Sequence, residues 1–119
     1  MSVFGDIRGE LAGKLAAAGL PATTDPGALV PFVLVDLVRS PNPAAGSLAI
    51  WPSVVPVKIV AGPPGDAAAA AWLEESLQTV LATCGPAPFA PDTYTGATGD
   101  LRLPMYEITY PVNIPNPNC

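Results

Sequence analysis

Apolar residues along the chain recur at two spacings, and the switch from one to the other divides it into elements. Residues 54–85 carry the clearest case, reading VVPVKIVAG, then PPGD, then AAAAAWLEESLQTVLATCG. The first part predicts a strand and the last an amphipathic helix. Ala69, Trp72, Leu73, Leu77, Val80, Leu81 and Cys84 recur at three- and four-residue steps, with Glu74, Glu75 and Gln78 on the opposite face. Burying the large apolar side chains of that face contributes roughly 1.5–3 kcal/mol each. Asp66 is placed to accept from the first-turn amides, and Gly85-Pro86 is a stop. Residues 3–18 predict a first helix on the stripe Phe4, Ile7, Leu11, Leu15 and Ala18, closed by Gly19-Leu20-Pro21.

Strand spacing occupies much of the remainder. Residues 32–38, FVLVDLV, are apolar on both faces, so both faces need cover. Asp36 interrupts one of them, as a strand-end residue or a partner for nearby Arg39. Residues 40–46 read as a turn-rich connection, residues 48–51 as a short strand ended by Pro52, and residues 54–61 as the next strand. Near the end, Tyr106, Ile108, Tyr110, Val112 and Ile114 alternate with Glu107, Thr109 and Asn113, a half-buried strand. Leu101, Leu103 and Met105 alternate in the opposite phase, which predicts a bulge or bend just after Pro104.

Helix, strands, helix and long strand in that order predict an α+β fold: a mostly antiparallel sheet with two amphipathic helices packed on one face. Residues 86–100, PAPFAPDTYTGATGD, form the longest stretch without a clear period. Loops of this length in a compact domain are usually functional or disordered. Its large side chains have two uses: to fold back on the domain, or to dock a partner through Phe89, Tyr94, Thr95 and Thr98.

Composition narrows the picture. A chain of 119 residues fits one domain spanning 1–119, and with half its residues hydrophobic it can bury a core. No apolar run reaches the ~18 residues of a membrane span, and the N-terminus lacks the order of a secretory signal. The expectation is a soluble protein made in the cytoplasm, with no membrane partner. Sixteen prolines are scattered along the chain and punctuate a fold. The net charge is −5, and the five basic residues, Arg8, Lys14, Arg39, Lys58 and Arg102, are dispersed. No phosphate-gripping patch follows from that.

Candidate chemistry is sparse. Without histidine, neither a Ser-His-Asp triad nor a Cys-His pair can form. AGPPGD, residues 61–66, opens a helix but lacks the Lys and Ser/Thr of a phosphate loop. Asp92 and Asp100 do not have calcium-loop spacing, and Glu74-Glu75 point apart on a helix. Cys84 and Cys119 alone cannot hold zinc; Cys84 continues an apolar face, and nothing requires its pairing with Cys119. The expectation is no enzyme, no metal and no cofactor.

The chain resembles the tail terminator (tail completion) proteins of long-tailed bacteriophages, especially those of actinobacteria. The likeness rests on the N-terminal amphipathic helix, the turn TDPG, PFVLVDLV, WPSVVPVKIVAGPPGD running into AAWLEESLQTVL, and the closing LPMYEITYPV. It implies a small α+β subunit of a six-membered ring at the head-proximal end of the tail in the virion. There such a ring stops tube polymerisation and joins the tail to the head. The implied partners are further copies of the chain, the tail tube protein and the head–tail connector protein, with genome DNA passing through unbound. The family brings no catalytic or cofactor residues. The rival readings are a connector or stopper ring subunit, and a monomeric ligand-binding domain with residues 86–100 as a lid.

Charge supplies a first prediction. Duplex binding depends on Lys and Arg displacing counterions, and here the basic residues are few and scattered. The purified protein should not retard duplex DNA on a gel at about 50 mM salt, where non-specific binding is strong. Salt-sensitive retardation at micromolar protein would contradict this.

Overall fold

The computed structural model describes residues 3–25, 30–39, 50–62, 67–95 and 102–115. Its elements are α1 (Val3–Ala17), β1 (Ala22–Thr23), β2 (Phe32–Val35), β3 (Ile50–Val60), α2 (Ala67–Cys84), β4 (Phe89–Tyr94) and β5 (Leu103–Pro115). The strands form one sheet in the order β1-β2-β3-β5-β4, parallel between β1 and β2 and antiparallel elsewhere. Both helices lie on one face, making this an α+β fold as the apolar periods predict.

The two long strands are the spine. β3 and β5 pair without a slip from Ile50 opposite Pro115 to Val60 opposite Met105. What reads as two strands separated by Pro52 is therefore one. The reason lies in the direction of the backbone groups. Arg39 and Val54 exchange both backbone hydrogen bonds, at 2.7 and 3.0 Å, and the Asp36 N–H donates to the Pro56 carbonyl at 2.9 Å. Even-numbered residues of β3 therefore turn towards β2 and odd-numbered ones towards β5. Pro52 and Pro56 are both even, so neither removes a donor from the β3–β5 ladder.

Pro56 does limit the other side. It has no N–H to return to Asp36, and regular β2–β3 pairing ends with Val35 opposite Val57. Contact resumes at Arg39 opposite Val54, with one extra residue on the β2 side. Leu37, expected on a buried strand face, is turned out by this slip and is 67% exposed.

The expected bulge after Pro104 does not form. The registers of β5 with β3 and with β4 both run straight through residues 104–106. The change of phase has another cause, because the sheet is buried on both faces in different places. On the helix face, Val33, Val35, Val55, Val57, Ile59, Ile108 and Tyr110 pack against Leu15, Leu73, Leu77 and Val80. On the other face, Phe32, Leu34, Val60, Leu103 and Met105 form a second cluster at one end, with Tyr94 against it. Leu103 and Met105 serve the second cluster, and Ile108 and Tyr110 the first. A straight strand does both.

Helix ends follow the glycines. After α1, the Gly19 amide donates to Ala16 (3.0 Å) and the Leu20 amide to Leu15 (3.2 Å). This is the paired closure that a left-handed residue permits, and Gly19 has φ of 92°. Gly85, with φ of 94°, ends α2. The Tyr110 hydroxyl then reaches from β5 to the carbonyls of Gly85 (2.9 Å) and Val80 (3.3 Å), tying that end to the sheet. Burial, with the Cys84 thiol nearby, pushes its pKa up to about 12. Asp66, expected as the cap of α2, lies outside the described residues, as do the predicted connection at residues 40–46 and Cys119.

α2 turns its expected face inward, with one adjustment. Leu73, Ser76, Leu77 and Val80 are buried, while Trp72 and Leu81 pack at the margin. Leu77→Ala should therefore cost about 2–5 kcal/mol in urea unfolding. Trp72→Ala should cost less despite removing a larger side chain. An equal or greater loss for Trp72 would place the helix on the wrong azimuth.

Candidate docking surface

The residues expected to dock a partner do not share a loop. Phe89 to Tyr94 form β4, paired with β5 along its whole length. Propensity obscured this, since FAPDTY carries Pro and Asp, which are depleted in strands. Tertiary pairing decides it, and the hydrogen-bonding direction shows how. The Thr109 N–H donates to the Pro88 carbonyl at 2.9 Å, so Ala90, Asp92 and Tyr94 turn inward to β5 while Phe89, Pro91 and Thr93 turn outward. Pro91 thus stands where no ladder bond is lost.

Phe89 and Tyr94 fall on opposite faces of the sheet. Phe89 is opposite Ile108 on the helix face and meets the Tyr106 ring edge-on at 6.2 Å, yet remains 50% exposed. Tyr94 folds back on the chain, its ring 5.6 Å from that of Phe32, also edge-on. Thr95 is exposed just beyond β4, and Thr98 lies outside the described residues. Of the proposed docking set, the structure leaves Phe89 and Thr95 available at the surface.

The face away from the helices carries charge where it is not apolar. Lys58 lies directly opposite Glu107 in the sheet, and its Nζ is 2.9 Å from the Asp36 carboxylate. Arg39 Nη2 is 2.8 Å from Glu107 Oε1. Asp36, Lys58, Glu107 and Arg39 thus alternate in sign across three adjoining chain segments. Asp36 pairs with Lys58 and not with Arg39, its neighbour in sequence. Lys58 is the basic residue without an acid close by in sequence, which was the available hint of a long-range partner.

Burial by itself would raise the Asp36 carboxyl. The hydrogen bonds from Lys58 and from the Leu37 N–H, with the charges of Lys58 and Arg8, outweigh it and hold the pKa below its ordinary value of 3.8. Beside this ladder, Pro88, Ala90, Asp92, Glu107 and Thr109 line a shallow concavity of about 270 Å³.

A second groove of about 310 Å³ runs between α1 and the end of α2, lined by Ile7, Leu11, Val55, Cys84 and Tyr110 with Glu10 and Lys14. No residue of β4 lines it, so β4 is not a lid over this groove. Cys84 is half-buried and unbridged; burial pushes its thiol pKa up, against the pull of Lys14, and makes it a weak nucleophile. Among the described residues no three His, Cys, Asp or Glu side chains gather as a metal site. Among the same residues no helix is long and apolar enough to cross a membrane.

The Asp36–Lys58 pair has a pH consequence. A carboxylate whose pKa is depressed by folding contributes stability above its unfolded pKa and loses it as pH falls through the folded one. Lys58→Met removes the main depressing partner and leaves the effect of burial. Asp36 should then titrate at higher pH by carboxyl NMR, and acid unfolding should begin at higher pH. At neutral pH the partly exposed pair should be worth about 1 kcal/mol or less. An unmoved Asp36 titration would show that Lys58 does not hold the carboxylate.

No family model matches the chain, and neither the curated proteins nor the solved structures contain a match to it.

Proposed function

We propose that this chain is a structural subunit of a bacteriophage tail, forming a ring of six copies that caps the head-proximal end of the tube and joins it to the head. The reading starts from the resemblance of its sequence segments to tail terminators. One observation carries it further. Apart from the TDPG turn, the segments that bear the resemblance contribute to α1, β2, β3, α2 and β5, and together they build three of the five strands, both helices and the main core. The likeness therefore concerns the fold's centre and not a decoration on it.

The surface suits contact more than chemistry. Charges on the open face stand in partnered positions, and Phe89 and Leu37 are large apolar groups in solvent. Scattered exposed apolar residues are ordinary on a monomer, so neither defines an interface by itself. The apolar second face of β2 does not call for a partner, because Phe32 and Leu34 are buried within the chain.

Negative-stain imaging of the purified protein, alone and mixed with its own tail tubes, tests the reading. Rings seated on one tube end, with tubes that no longer lengthen, are expected. Rings that bind the head portal and ignore tubes would indicate a connector, and particles that stay monomeric with tubes present would refute the ring.

A further inference from the structure

A sheet margin invites another strand when it offers alternating N–H and C=O groups in an extended row. The β4 margin of this sheet is interrupted in that row by two means. In β4 the outward positions are Phe89, Pro91 and Thr93. Pro91 has no N–H. The Thr93 N–H is taken by the Asp92 carboxylate at 2.8 Å. Within β4 this leaves Phe89 as the one outward amide not so removed.

Beyond β4, β5 continues through Pro111, Asn113 and Pro115, which turn away from β3 because they stand opposite Val54, Pro52 and Ile50. Two of those three positions lack a donor. On the far side, β1 is only two residues long and leaves the outward carbonyl of Val35 beyond its reach. Arg8 covers that carbonyl from α1, with Nη2 at 3.2 Å and Nε at 3.3 Å, and holds the Thr24 carbonyl at 3.0 Å.

From this we infer that the β4 edge is closed to strand addition, and that any association of this chain on that side, with itself or with a partner, proceeds through side chains. Pro91 and Asp92 are the residues that close β4, the longest regular edge. The inference rests on backbone direction and on the Asp92 hydrogen bond, and does not depend on the ring reading.

The test restores the missing donors. In Pro91→Val/Asp92→Ala the outward row of β4 regains the amide at 91 and frees the one at 93. Ala90→Val is the control, since it adds comparable apolar bulk at an exposed position whose amide already faces β5. Each protein is first checked for a folded amide spectrum by NMR. Light scattering after size exclusion then follows mass over a concentration series into the micromolar-to-millimolar range.

The double variant should at least double its weight-average mass relative to wild type. In that larger species, amides 89–94 should gain protection from hydrogen exchange. Ala90→Val should keep the wild-type mass. Equal growth in both would overturn the inference by showing that apolar bulk drives association. A folded double variant of wild-type mass would overturn it by showing that the edge is closed for another reason. If the double variant does not fold, Pro91→Ala/Asp92→Ala, which restores the same two donors with smaller side chains, carries the test, with growth supporting and wild-type mass opposing it.

Discussion

An antiparallel ladder needs an N–H at every second residue of each strand, and this sheet meets that need with prolines in three of its strands. The solution is positional. Pro52 and Pro56 in β3, Pro91 in β4, and Pro111 and Pro115 in β5 all turn away from the neighbour that their strand pairs with most extensively. Where a proline does face a ladder, the ladder stops. Pro104 accepts from Ala61 at 3.1 Å and has nothing to return, and Pro56 ends the regular pairing of β2. Sheet length and the exposure of Leu37 both follow from one missing atom placed with the right parity.

That constraint also divides the open face. At one end, where β2 still pairs with β3, Phe32, Leu34 and Val60 meet Leu103 and Met105 and are buried. One step further along the strands, the same face carries Lys58 and Glu107, with Asp36 and Arg39 brought alongside as β2 leaves the ladder. Half-exposed ion pairs contribute little to stability. Their larger effect is on register, since a slip of one residue would put Lys58 and Glu107 into the helix-side core.

The helix face does the holding. Valines and isoleucines from β2, β3 and β5 meet leucines and a valine from α1 and α2, and Tyr110 adds a polar tie where its hydroxyl meets the carbonyls of Val80, near the end of α2, and Gly85, just beyond it. A carbonyl left unpartnered at a helix end near the core costs free energy, so this tie offsets a penalty as well as adding a bond. Arg8 plays the same part at the β2 margin. Both are side chains drawn in to satisfy backbone groups that the secondary structure leaves over.

Much of this was legible before the fold was known. Helical spacing gave α1 and the buried face of α2, Gly19 and Gly85 gave their ends, and alternation gave β5 and the α+β class, because each is a local consequence of backbone geometry. The unread parts share a different cause. β4 was hidden because FAPDTY is a strand only when β5 lies beside it. β3 ran on through Pro52 because a proline's cost depends on which neighbour its nitrogen faces. The phase change in β5 was real but came from burial on two faces, not from a bulge. Lys58 found Asp36, and Arg39 found Glu107, across distances in sequence that no local spacing encodes. Of the docking set, Phe89 kept its exposure while Tyr94 turned inward to Phe32, since neighbours five apart on a strand point to opposite faces and only the packed sheet says which face is covered.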